Sequence, residues 1–363
     1  MNERASGHNG CGCGGASRRG FLGAGIGCGA YLGLALAGAP AGARRAFASA
    51  GAGAGGPDRE VVSERPFARV ERVAPGVWAA IATPWESRDF TAVANGGIIA
   101  GRDATLVVEG LNTDAGGAWL ARLARRLTGR APGHVVLTHF HGDHSNGLTA
   151  CVAAAAGGTG PDDPGLARIY STDATHDLLA GSRTDRPADY NDDTGRTEPG
   201  TLVTLPNVLI DPAKGSTTID LGGRTVTIRE LRGHTPSDIV VETTAGPDGR
   251  RVVFCGDLVF NGLFPFYGDA IPSVWTETCR DLLDDPDALY VPGHGSVADR
   301  TGLSDYVPLL EDVGEAAKRA IRRGMPAEQA WREYEVPESL GDWRKFRPDV
   351  FRFAFEAWER EMS

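Results

Sequence analysis

A chain of 363 residues that is 41% hydrophobic and 23% charged has enough apolar side chains to bury a core and too many to remain disordered. With 37 Lys+Arg against 47 Asp+Glu the formal net charge is −10, so there is no general excess of cations to displace counterions from a phosphate backbone. Broad nucleic-acid binding is therefore disfavoured, and only a local basic patch stays open.

The first fifty residues read as a leader. Ser17-Arg18-Arg19-Gly20-Phe21-Leu22 sets two arginines ahead of a weakly apolar Gly/Ala-rich stretch, and Ala48-Ser49-Ala50 supplies a small-x-small cleavage pattern. The order fits a twin-arginine export signal over 1–50, cleaved after Ala50, which implies a periplasmic or extracellular protein. The stretch has too many glycines for a stable membrane span. Removing its five arginines and Glu3 leaves 32 basic and 46 acidic residues, a mature net charge of −14. Cys151, Cys255 and Cys279 remain, an odd number that writes no disulfide framework. A linker, 51–63, follows; its Gly-Ala-Gly-Ala-Gly-Gly match to a dinucleotide fingerprint is noise, because no strand precedes it and no helix follows.

From about Glu64 the hydrophobic period is two. Phe67 to Val73, Val77 to Ala82, Asn95 to Ala100 and Thr105 to Glu109 read as a strand meander, and Asp114 to Thr128 as a helix with Trp119, Leu120, Leu123 and Leu127 on one stripe. A short strand, Val135 to Thr138, leads into a helix around Asp143 to Ala155; then come a strand, Ala167 to Ser171, and a helix near Asp173 to Leu179. The polar stretch 181–200 is either a lid or a surface loop. Further strands are read at 207–210, 217–221, 225–231, 239–244 and 252–255, with helices from Tyr306 to the end. Two strand-plus-helix halves predict an α/β fold, a four-layer αββα sandwich over 64–300 with a helical C-terminal extension, 301–363.

The chemistry lies in the histidines. Thr138-His139-Phe140-His141-Gly142-Asp143-His144 offers four nitrogen or oxygen ligands within six residues at a strand end. His234 in Gly-His-Thr-Pro, Asp257 in Cys-Gly-Asp and His294 in Pro-Gly-His-Gly are polar residues set by Gly or Pro at the ends of apolar runs. His134 and His176 have no partner pattern. Imidazole and carboxylate without thiolate suit Zn²⁺, with Fe or Mn as alternatives. A pair of divalent ions brings the pKa of a shared water near neutrality, and Asp143 is the candidate to orient that water and accept its proton. Trp85, Phe90, Phe264, Phe266 and Tyr267 are candidates to line a groove for a small-molecule substrate, with core packing as the competing reading.

Over about Phe67 to Ser296 these motifs resemble the metallo-β-lactamase-fold hydrolase superfamily. The resemblance implies that His139, His141 and His234 hold one zinc, that Asp143, His144 and His294 hold a second, and that Asp257 bridges them. An early structural Asp of the family is Glu109 here, which is expected to weaken one supporting contact. Lactam-cleaving members place Cys or Ser at the Asp257 position; Asp257 makes the chain more similar to the glyoxalase-II-like branch. The implied activity is hydrolysis of an ester, thioester, lactone or amide. The alternatives are a β-lactamase, a mononuclear iron oxidoreductase like the persulfide dioxygenases, and a noncatalytic metal-binding protein.

Overall fold

Strands with apolar residues on both faces must be covered on both. The structure, a computed structural model, describes residues 59–83, 87, 89–156, 167–184, 204–245 and 249–363. The leader, most of the linker, Trp85 and most of the 181–200 stretch lie outside the described residues.

An eight-stranded sheet takes β1 (Val61–Arg65), β2 (Ala68–Ala74), β3 (Val77–Ala82), β4 (Gly96–Ala100) and β5 (Thr105–Val108) as an antiparallel meander. To it β6 (His134–Val136), β7 (Arg168–Ser171) and β8 (Val208–Leu209) add in parallel. A five-stranded sheet has the order β13-β12-β11-β10-β9, built from β9 (Thr217–Asp220), β10 (Thr225–Leu231), β11 (Asp238–Ala245), β12 (Arg250–Phe260) and β13 (Leu289–His294). Only its β12–β13 pair is parallel. The helices are α1 (Asp114–Thr128), α2 (Gly142–Ser145), α3 (Leu148–Ala155), α4 (Asp173–Thr184), α5 (Pro272–Leu282), α6 (Tyr306–Arg322), α7 (Ala327–Ala330) and α8 (Val350–Met362).

The period of two sorts side chains into three apolar layers. Val77, Ala79, Ile81, Ile99, Leu106, Val108 and Val136 of the first sheet meet Val226, Ile228, Ile239, Val241, Val252, Phe254 and Val291 of the second, which puts the sheets face to face. The alternate residues of the first sheet, Trp78, Ile98, Val107 and Val135, pack under Trp119, Leu120 and Leu123 of α1 and Leu148 and Val152 of α3. Those of the second, Val240, Val253 and Cys255, pack under Trp275 of α5, Leu309 and Val313 of α6 and Phe351, Phe355 and Trp358 of α8. Four layers, αββα, result as expected. The end of α1 follows from its own residues: Thr113 Oγ1 accepts from Gly116 N (3.2 Å), and Gly129 takes the left-handed cap conformation at φ 73°.

Period counting misses three elements, β1, α5 and β13. Pro272 at the first position of α5 and Pro292-Gly293 inside β13 look like turn signals, and only packing on β12 shows otherwise. Strand β1 begins at Val61, inside the stretch read as linker. The helix expected over 143–155 is two, α2 and α3, separated at Asn146-Gly147. The C-terminal helices share one apolar cluster with β12 and β13, so the extension is packed into the same body as the second sheet.

Phe351 is 3% exposed, with its ring 4.6 Å from Phe264 and 5.0 Å from Tyr334. Phe351→Ala is expected to lower the unfolding free energy by about 3–5 kcal/mol. Because the core is shared, denaturant unfolding followed by tryptophan fluorescence and by far-UV circular dichroism should keep one coincident transition; two separated transitions would show that the tail folds independently.

Candidate metal centre

Strands β6, β10, β12 and β13 bring the polar residues together at one place. His139, His141, Asp143 and His144 follow β6, His234 lies in the β10–β11 turn, Asp257 stands in a bulged part of β12, and His294 closes β13. Backbone detail makes the convergence possible. Gly256 has φ 52°, and a Cβ there would stand 2.6 Å from Thr138 Oγ1; a Cβ on Gly293 would stand 1.9 Å from Asp257 Oδ1. Only glycine lets these strands close on the carboxylate.

Two groups of ligand-type atoms form, His139, His141, His234 and Asp257 in one and Asp143, His144 and His294 in the other. In the first, His139 Nε2 and His234 Nε2 each stand 3.0 Å from His141 Nδ1. In the second, His294 Nε2 is 3.3 Å from Asp143 Oδ2, and His144 Nε2 is 3.7 Å from it. Asp257 faces both: Oδ2 lies 3.5 Å from His234 Nε2 and 4.0 Å from His139 Nε2, while Oδ1 lies 3.1 Å from His144 Nε2 and 3.3 Å from His294 Nε2. Thus all seven residues singled out by their motifs come together. His134, bonded to the Tyr170 hydroxyl at 3.1 Å, and His176, beside Asp177 at 3.2 Å, stand elsewhere.

Three of the five imidazoles, His139, His141 and His234, are hydrogen-bonded on the far side of the ring, which is how a protein fixes the tautomer and aim of a ligating imidazole. His139 Nδ1 donates to Thr138 Oγ1 (3.0 Å), whose hydroxyl donates to Glu109 Oε1 (2.5 Å). His144 Nδ1 faces the same Glu109 oxygen at 3.2 Å. His234 Nδ1 donates to Phe266 O (3.0 Å), and His141 Nε2 pairs with Asp269 Oδ2 (2.9 Å). Glu109 thus keeps the supporting contact its extra methylene was expected to weaken. Its backbone sits at φ 75°, a left-handed conformation that costs about 1–2 kcal/mol in a non-glycine residue.

The charges are those of a cation site. Burial pushes His139 well below its ordinary pKa, and burial lowers His234 to about 3, so both are neutral and carry lone pairs inward. Burial also works against His144 and His294, but Asp257 and Asp143 outweigh it, raising His144 well above its ordinary range and His294 to about 9. Burial would raise Asp257, yet His294 and His144 hold it well below the usual carboxylate range. Asp257 Oδ1 and both nitrogens of His144 are buried without any hydrogen-bond partner, although charged neighbours stand close by. Buried groups left in this state are better served by metal ions than by one another. Side-chain exposure of 11% at Asp143 and 15% at His294, against 0–5% for the other five, opens the centre on the side of the second group.

Sequence reading missed two supports. Asn95 donates from Nδ2 to Pro292 O and Gly295 O (both 2.8 Å) and accepts from Ala82 N at Oδ1 (2.9 Å), so it pins the His294 loop to the first sheet. An Asn opening an apolar strand is the one signal that could have found it. Asp269 has no motif around it. The groove candidates need correction: Phe264 and Tyr267, 0% and 1% exposed, are core residues packed on Phe351 and Trp275, because their apolar run is covered by α5 and α8. Phe266 alone of those three stands beside the centre, its ring 6.1 Å from His141. Phe90 is half-buried, with its carbonyl bonded to Asn112 Nδ2 at 2.6 Å.

Comparison with known proteins agrees with this geometry. The metallo-β-lactamase superfamily model matches residues 93–294, which contain all seven site residues, and the chain belongs to that superfamily. Its fold is similar to that of a metallo-β-lactamase from Erythrobacter litoralis (18% identity, TM-score 0.51, covering 70% of this chain and 100% of that one). It is also similar to a sec-alkylsulfatase from a Pseudomonas species (18% identity, TM-score 0.55, covering 80% of this chain and 50% of that one). No curated protein sequence matches the chain.

Protonation and metal binding compete at His144 and His294. Zn²⁺ affinity should therefore rise as pH is raised from about 6.5 toward 9, with proton release measurable by calorimetry in buffers of different ionisation enthalpy. The metal-free protein should change the other way: a histidine with a raised folded pKa stabilises fully below its unfolded value, and that stability is lost as pH rises through about 9. A pH-independent Zn²⁺ affinity over this window would contradict the charge assignment.

Proposed function

We propose that the chain is a dinuclear zinc hydrolase, exported by a twin-arginine leader, that cleaves an ester, thioester, lactone or amide carbonyl of a small molecule. The metal-dependent hydrolase character rests on the family; the finer reading rests on Asp257, whose two oxygens face separate groups of ligand atoms. His139, His141 and His234 would hold one ion, Asp143, His144 and His294 the other, with Asp257 between them. Fe or Mn would suit the same donors.

When bound, such ions supply Lewis acidity and a water of lowered pKa. The protein's own residues do the rest. Asp257 neutralises part of the charge and keeps the two groups close. Asp143, partly exposed and held to about 2 because His144 and His294 outweigh the opposing effect of burial, is ionised at neutral pH and can orient a water and take its proton at Oδ2. Burial of the first group excludes solvent from that side, so substrate approaches over Asp143 and His294. A complete second group favours this reading over a mononuclear iron oxidoreductase. Asp257, where lactam-cleaving relatives carry Cys or Ser, and the acidic mature charge favour neutral carbonyl substrates over lactams and polyanions.

The test is elemental analysis of the purified full chain followed by chromogenic ester, lactone, thioester, alkyl sulfate and cephalosporin substrates. Two zinc equivalents with ester or lactone turnover are expected. His139→Ala, His234→Ala and Asp257→Ala should lose metal, whereas His134→Ala and His176→Ala should keep it. Cephalosporin turnover with kcat/KM in the range of about 10⁴ to 10⁸ M⁻¹s⁻¹, with inert esters and lactones, would restore the β-lactamase alternative.

A further inference from the structure

The outer nitrogens of the imidazoles divide by origin. His139 is held by the residue before it and His144 by Glu109, both within the first half of the fold. The outer partners of His141 and His234 come instead from one short segment, Phe266 to Asp269: Phe266 O accepts from His234 Nδ1 at 3.0 Å, and Asp269 Oδ2 pairs with His141 Nε2 at 2.9 Å. Four residues therefore set the aim of two of the three imidazoles in the first group.

That segment lies between β12 and α5 and has no helix or strand of its own. The C-terminal tail holds it in place. The Phe353 ring of α8 packs 4.8 Å from Phe266 and the Phe346 ring 5.9 Å from it. Arg360 near the end of α8 donates from Nη2 to Gly268 O at 3.0 Å, and its charge also helps keep Asp269 ionised. Just upstream, Leu263 and Arg344 form a parallel bridge, with Phe264 N donating to Arg344 O at 2.8 Å. Phe346, Phe353 and Arg360 all lie outside the 93–294 stretch that carries the seven site residues.

We propose that Asp269 is the positioning carboxylate of His141, and that α8, through Arg360 and Phe353, tunes the metal affinity of the first group by holding the Phe266–Asp269 segment. The inference rests on reading the cluster as a metal centre. With Nε2 committed to Asp269, the His141 ring is fixed with Nδ1 turned inward beside Nε2 of His139 and His234, 3.0 Å from each; without that partner the ring is free to turn or to exchange its tautomer. The acceptor on Phe266 does the same for His234, so a shift of the segment misaims two ligands together.

The experiment uses the full chain and Zn²⁺ in competition with a chromophoric chelator, with the melting temperature of the metal-free protein recorded alongside. Asp269→Ala should weaken one of the two zinc equivalents by about 10- to 100-fold while the other keeps its affinity. Asp269→Asn, which retains an acceptor oxygen, should recover part of that loss. Arg360→Ala, an exposed change remote from the centre, should weaken the same equivalent to a smaller degree, and Arg360→Lys should restore it. A purely structural role would lower the metal-free melting temperature without changing zinc affinity. That result, or an Asp269→Ala chain that binds both equivalents as tightly as the parent, overturns the inference alone. A parent chain that binds no zinc overturns the metal-centre reading and the inference with it.

Discussion

Asp257 is a carboxylate removed from water and set among four imidazoles, at 3.1 to 4.0 Å from their inner nitrogens. A buried charge in that position demands compensating charge of its own. Asp257 and Asp143 meet this demand by raising His144 and His294, and the same residues are the donor groups that could hold a metal ion. Most of the unusual local structure can be traced to this one group. A Cβ at Gly256 would strike the Thr138 side chain, and one at Gly293 the Asp257 carboxylate itself. The bulge in β12 breaks the regular register with β13 so that Asp257 reaches the edge of the sandwich.

The sandwich supplies the rigidity that such a charge requires. Its seven polar residues lie in or just beyond four strands belonging to two different sheets, and the apolar layer between those sheets holds the strands together. A loop alone could not keep five rings aimed into two adjoining groups, since the conformational entropy of ordering them would have nothing to oppose it. Outer hydrogen bonds complete the arrangement. Glu109 serves His139 through Thr138 and faces His144 directly, while Asn95 fastens the His294 loop to the first sheet. Glu109 is held with positive φ, as are Val93 and Leu111 nearby in sequence, so backbone strain gathers in the segments that support the centre.

The C-terminal helices have a place in the same logic. Phe351, Phe355 and Trp358 of α8 cover the outer face of the second sheet, and the same helix braces the segment beneath His141 and His234. Fold and site are coupled there through packing, although the residues involved are far apart in sequence.

Much of this was legible in the sequence because it is local. Period-two apolar runs and the α1 stripe depend only on neighbours along the chain, and so do the His-x-His-x-Asp-His, Gly-His-Thr-Pro, Gly-Asp and Pro-Gly-His patterns. The four-layer architecture and the seven residues that meet at the centre followed from these. What tertiary structure alone decided is long-range. Asp269 lies 128 residues from His141 and Asn95 lies 197 from Pro292, and an isolated Asp or Asn bears no mark of its future partner. β13 looked like a turn until β12 paired with it, and Phe264 and Tyr267 looked like groove residues until α8 and α5 covered them. A side chain's chemistry is written in its own residue, whereas its burial and its hydrogen-bond partner are properties of the packed chain.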